Sequence, residues 1–224
     1  MVNPMEVDAN QTVATIATSL PGAAALFRRH GIRFCCGGSD SIASAAEAAG
    51  LSSEALVGEL QGLVAAASAE APDGTIDLIH HLRRRYHDTH RAELISLIPL
   101  AAKVERVHGD HPDAPIGLAN LLERIQSDLH SHMHREELML FPLMERGDHQ
   151  ALSRSIEQMR YEHDVEAQHL AELEHVTGGF QLPEGACNSW RALYTGVKKF
   201  ADDLVRHMHL ENEVLFPRFT GGKV

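Results

Sequence analysis

The feature that most constrains this chain is an internal repeat. Shifted by 75 positions, the sequence lays His132-Met133-His134-Arg135-Glu136 over His207-Met208-His209-Leu210-Glu211, and the blocks end alike in Leu140-Phe141-Pro142 and Leu215-Phe216-Pro217. Seven of these eleven positions agree. The stretches ahead of the blocks also correspond, Arg85-Tyr86-His87-Asp88 resembling Arg160-Tyr161-Glu162-His163-Asp164 with one insertion. The repeated unit is therefore a helix hairpin, used twice.

Four long helical patterns surround these blocks, at about 75–107, 116–146, 149–176 and 186–215. Gly109 to Pro115, Gly147, and Gly178-Gly179 with Pro183 and Gly185 separate them. Pro99 is expected to kink or interrupt the first. Short connections between long helices favour an antiparallel four-helix bundle. Ahead of it, residues from about Gln11 to Glu70 show only short helical patterns, broken by Pro21-Gly22, Gly31, Gly37-Gly38 and Gly50. Ala71-Pro72-Asp73-Gly74 is turn-rich. The expectation is an all-α chain with a small helical domain at 1–72 and the bundle at 73–224.

Composition narrows the function. A formal net charge of −11 disfavours nucleic acid as a partner, and Arg83-Arg84-Arg85 is too short a basic run to reverse that. No stretch of eighteen apolar residues suggests a membrane span and no basic leader opens the chain, so a cytoplasmic protein is expected. Three cysteines, Cys35 and Cys36 adjacent and Cys187 alone, read as thiols and not as a disulfide framework. Fifteen of the sixteen histidines lie at or after His80. The later segment makes use of imidazole.

In His132-xxx-Glu136 and His207-xxx-Glu211, residues four apart return to within about 40° of one helix face, so each pair is half of a metal site. One such pair alone is commonly a solvated hydrogen-bonding pair. Two copies on hairpins that a bundle brings to one axis imply two metals, supplied with four histidines and two glutamates. Imidazole with carboxylate suits iron, zinc or manganese; carboxylates shared by two metals favour iron. His90, three residues after His87, shares its face, and periodicity does not decide between them. His134 and His209 fall about 200° from the ligand face, facing outward or lying behind the ligands. His80, His81, His130, His149, His169 and His175 read as surface or packing residues.

The Phe34-Cys35-Cys36-Gly37-Gly38 run, Tyr86-His87-Asp88-x-His90-Arg91, Lys103-Val104-Glu105-Arg106-Val107-His108 and both HxxxE blocks with their Leu-Phe-Pro tails resemble the repair-of-iron-centres family. That family is a branch of hemerythrin-like di-iron proteins, and the resemblance spans nearly the whole chain. It implies two non-haem irons, oxo- or hydroxo-bridged when oxidised, ligated by His87, His132, Glu136, His163, His207 and Glu211, with both glutamates bridging. By the same resemblance the protein protects or repairs iron-sulfur clusters under nitrosative and oxidative stress, binding nitric oxide and reducing it to nitrous oxide. An iron donor and an oxygen-binding sensor are the alternatives. Nitric oxide or dioxygen would be the small ligand, damaged iron-sulfur proteins the transient partners, and the chain a monomer or weak dimer.

Asp128, one turn before His132, and Glu162, just before His163, are candidate carboxylates behind the ligands for proton or iron passage. Asp128 departs from the family's usual Glu. Cys35 and Cys36 match the family's accessory domain and are candidate reactive thiols, with Arg33 near in sequence. Cys187 reads as packing.

Overall fold

The structure, a computed structural model, describes residues 5–34, 39–69, 71–147 and 149–220. Cys35 and Cys36 lie outside the described residues. Four short or medium helices come first, α1 (Val13–Ser19), α2 (Ala23–Arg29), α3 (Ile42–Ala48) and α4 (Ser53–Ala69). Local chemistry starts two of them: the Thr12 hydroxyl accepts from the Thr15 N–H and the Ser41 hydroxyl from the Ser44 N–H, satisfying amides that a helix start leaves unpaired. Val13, Ile16, Leu20, Phe27, Ile42, Leu56 and Leu60 close an apolar core of their own.

Four rods follow. The first joins α5 (Thr75–His81), a π-helical turn (Leu82–His87) and α6 (Asp88–His108). The second joins α7 (Leu118–Arg135), a π-helical turn (Glu136–Leu140) and α8 (Phe141–Arg146). The third is α9 (His149–Val176). The fourth joins α10 (Asn188–His209), a π-helical turn (Leu210–Leu215) and α11 (Pro217–Thr220). Packing runs in a ring, α6 against α7, α7 against α9, α9 against α10 and α10 back against α6, the antiparallel bundle that the repeat predicts.

Two rods start later than their patterns suggest, at Leu118 and Asn188, and the fourth runs past Leu215. Pro99 does not interrupt α6. It sits on the solvent side, where the carbonyl whose amide partner proline lacks is open to solvent. Gly147 ends α8 in the left-handed region, at φ 70°, a conformation open to glycine at little cost.

The buried stripes of α7 and α10 explain how the site is placed. Leu118, Leu121, Leu122, Ile125 and Leu129 recur at three- and four-residue spacing, and the next core-facing position on that stripe is His132. In α10 the stripe of Trp190, Leu193, Val197, Phe200 and Leu204 runs into His207 in the same way. One apolar cluster, with Leu97, Leu122 and Trp190, fills one end of the bundle, and another, with Leu78, Phe141, Ile156 and Phe216, fills the other. The turns that carry the candidate ligands lie between these apolar plugs.

The N-terminal helices rest on this bundle. α1 packs on α9 and α10; the Arg28 guanidinium forks onto the Glu174 carboxylate at 2.7 and 3.0 Å. His209 is buried here, its Nδ1 3.3 Å from the Ser19 carbonyl. This corrects the reading of His209 as outward facing or behind the ligands: its face of α10 meets the N-terminal domain and not solvent. His134, on the matching face of α7, is exposed.

Candidate metal centre

Each block's glutamate follows its histidine by one turn, and then the helix changes. The Phe141 N–H bonds the Glu136 carbonyl and the Phe216 N–H the Glu211 carbonyl, five residues back in each case. Pro142 and Pro217 give the physical reason, because a proline ring cannot follow a regular α-helical turn and a wider turn ahead of it relieves the clash. The Leu-Phe-Pro tail of each repeat thus sets a local widening directly beside its carboxylate. The first rod has its π-helical turn ending at His87, with no proline to account for it.

Six side chains converge between the apolar plugs. His87, Glu136, His207 and Glu211 offer ligand atoms that all lie within 4.8 Å of one another, and so do His132, Glu136, His163 and Glu211. Both glutamates belong to both groups. Glu211 turns Oε1 to His207 Nε2 at 3.1 Å and Oε2 to His163 Nε2 at 3.1 Å, one oxygen to each group. Glu136 Oε2 stands 3.4 Å from His87 Nε2 and 3.4 Å from His132 Nε2. Across the groups' own axes, His87 Nε2 faces His207 Nε2 at 3.0 Å and His132 Nε2 faces His163 Nε2 at 3.2 Å.

The imidazoles are oriented from behind. Glu137 takes the Nδ1–H of His87 at 2.8 Å and Glu162 that of His132 at 2.9 Å. A carboxylate accepts only, so both rings carry their proton on Nδ1 and present a bare Nε2 lone pair to the cavity. Asn212 Oδ1 lies 3.0 Å from His163 Nδ1. The bond from His87, with help from Arg91, brings Glu137 down to about 2. Burial would raise Glu162, but bonds from His132, Arg135 and Gln158 outweigh it and bring that carboxyl to about 2. Burial lowers His87, and it lowers His132 to about 4, so both rings stay neutral at pH 7.

The two central carboxyls differ. Burial, then the charge of Glu211 beside it, pushes Glu136 well above the usual carboxylate range. Glu211 is equally buried, yet His207 and His163 hold it well below that range. The two carboxyls face one another, a contact that is a hydrogen bond only while one is protonated. As a carboxylate, Glu136 has no donor on either oxygen among the described residues. Bare imidazole lone pairs and donor-less buried carboxylate oxygens around one space are the environment a cation relieves. Neutral nitrogens with hard oxygens, and no thiolate in either group, suit iron, manganese or zinc.

Of the residues singled out from the sequence, all six candidate ligands come together here. His90, the rival of His87, is buried but outside both groups. Glu162 stands behind a ligand, though it is His132 and not the adjacent His163. Asp128 does not: its side chain is 54% exposed and pairs with His169 at 3.7 Å, since its short reach turns toward α9 and not into the cavity. Cys187 directly precedes α10, at the opposite end of that helix from His207, its Sγ 3.1 Å from His108 Nε2. Glu137 and Asn212 escaped the sequence reading although a signal existed. They are equivalent under the 75-residue shift, each directly following its block's glutamate.

Comparison with known proteins agrees with this geometry. Residues 77–219 match the hemerythrin HHE cation binding domain family, and residues 9–64 match a domain of unknown function, DUF542. The chain is 42% identical over 217 residues to the iron-sulfur cluster repair protein YtfE of Yersinia pseudotuberculosis serotype O:1b, covering 96% of this chain and 98% of that one. The YtfE protein of Yersinia pestis strain Pestoides F is similar to the same extent, at 42% over 217 residues with the same shares covered. Among the described residues no helix is long and apolar enough to cross a membrane.

Proposed function

Because the chain belongs to the hemerythrin HHE cation binding family, in the branch of iron-sulfur cluster repair proteins, we propose that it is a non-haem di-iron protein that protects or repairs iron-sulfur clusters under nitrosative and oxidative stress. One observation carries this reading: two fully buried carboxylates shared between two imidazole pairs, with no donor on either Glu136 oxygen among the described residues. His87 and His207 would hold one iron, His132 and His163 the other, and Glu136 and Glu211 would bridge both. Damaged iron-sulfur proteins are the proposed transient partners, and nitric oxide the small ligand.

Two ferrous ions bound there would supply the two electrons needed to couple two nitric oxide molecules. With two protons the balance is one nitrous oxide and one water. The chain's own residues set the conditions. The apolar plugs at either end exclude bulk water, while Glu137 and Glu162 keep the ring protons of His87 and His132 on the far nitrogens. Glu162, 16% exposed, reaches from the ligand shell toward solvent and is the proposed relay for protons.

The test is anaerobic titration of the reduced, iron-loaded protein with nitric oxide and gas analysis. One nitrous oxide per two nitric oxide consumed is the expected result. Uptake of nitric oxide without gas would reduce the function to binding. Neither uptake nor gas, with ready iron loss to a chelator, would replace it by iron delivery.

A further inference from the structure

The repeat is not perfectly symmetric, and its one insertion falls at the metal centre. Glu162 is the inserted residue, and it is the group that fixes His132 from behind. In the other hairpin no residue is inserted between Tyr86 and His87, and the counterpart of His132 is His207. The consequence is visible. Nδ1 of His207 is buried with no hydrogen-bond partner among the described residues, while the other three candidate imidazoles each have an oxygen at 2.8 to 3.0 Å. Tyr86 occupies the place instead, its ring stacked on His207 at 5.5 Å and 5°.

Beside this unpartnered nitrogen stands another unsatisfied group. His90 is fully buried, and neither of its ring nitrogens has a hydrogen-bond partner among the described residues. Its ring centre lies 5.4 Å from that of His207, with Tyr86 at 6.1 Å and Phe200 edge-on at 5.3 Å closing the space around it. Three buried imidazole nitrogens without partners in one place are rare in a folded protein, and an ordered water is the usual way such groups are satisfied. The two rings are neighbours yet share no direct hydrogen bond, and a water between them would give both a partner.

From this geometry we infer that His90 holds a buried water against His207 Nδ1, and that His90 is thereby the positioning residue for the fourth imidazole of the metal centre. The water accepts the His207 Nδ1–H and donates to a ring nitrogen of His90. His207 then presents a bare Nε2 to the cavity, as carboxylate partners make His87 and His132 do. Without it, the ring is free to take the other tautomer and give its Nε2–H to Glu211, 3.1 Å away, which removes the lone pair from the site. The inference rests on the iron reading above and assigns His90 a role that its face-sharing with His87 left open.

Substitution with two outcomes on one protein tests it. Iron release to a chelator is followed in wild type, His90→Phe and His90→Gln, with helix content checked in each. In His90→Phe one iron, that of the His87 and His207 pair, should leave about ten times faster than the other, giving two phases of equal size. His90→Gln keeps a polar group for the water and should return most of the fast phase to the wild-type rate. Phe200→Leu, which loosens the packing of His90 without removing its nitrogens, should not create the fast phase. A single phase at the wild-type rate in folded His90→Phe would overturn the inference, as would equal rates in the Phe and Gln variants. Wild type that holds no iron would overturn the metal reading itself and this inference with it.

Discussion

Alanine in place of Glu211 is expected to empty both metal positions, whereas alanine in place of His132 is expected to empty one. The contrast follows from how the groups are composed. Glu136 and Glu211 each belong to both sets of converging ligand atoms, and each histidine belongs to one. Glu211 sends its oxygens to opposite sides, toward His207 and toward His163, so losing it removes a donor from each metal at once and leaves the remaining imidazoles facing one carboxylate. His132→Ala leaves His87, His207 and both glutamates in place. Metal analysis of anaerobically loaded protein should give close to none for Glu211→Ala and for the His163→Ala, Glu211→Ala pair, and about half of the wild-type iron for His132→Ala. Equal losses in Glu211→Ala and His132→Ala would show that the carboxylates are not shared.

The second large effect is an inversion. In the metal-free protein Glu136→Gln should be more stable than wild type by about 3 kcal/mol at pH 7, although it binds iron poorly. Glu136 is fully buried beside Glu211, and as a carboxylate it has no donor among the described residues. The folded chain therefore holds the Glu136 proton more tightly than the unfolded chain does. The sign follows: with the folded value raised, the native state binds more protons once pH passes the unfolded value of about 4.3, and stability falls from there as pH rises. Glutamine removes that slope. Urea titrations of chelated wild type and variant across this range should diverge with rising pH, and iron should stabilise the wild type far more than the variant. Parallel curves, or a less stable variant, would mean that Glu136 is satisfied without metal.

Much of this was legible in the sequence, for a definite reason. A duplicated His-xxx-Glu followed by Leu-Phe-Pro encodes direction as well as chemistry, because four residues return to one helix face and the apolar stripes of α7 and α10 say which face is buried. His132 and His207 are read that way from spacing alone. His87 and His90 are not, since both lie on the inner face of the first rod; only the packing partner on the neighbouring rod separates them, and that is long-range information. Asp128 failed for a related reason. Spacing places a residue on a face, but a side chain at the edge of that face pairs with whatever the adjacent helix offers, here His169. His209 was misjudged because a helix pattern cannot show that a second domain covers its outer side. Glu137 and Asn212 were readable in principle: a residue that follows the shared carboxylate in both repeats is placed to reach the next rod.

The central claim is that two irons lie between these imidazole pairs. Anomalous diffraction at the iron edge from crystals of the loaded wild-type protein measures it directly. Two peaks are expected, one against His87 and His207 and one against His132 and His163, with Glu136 and Glu211 between them. A single peak, peaks elsewhere on the surface, or none after careful loading would contradict it.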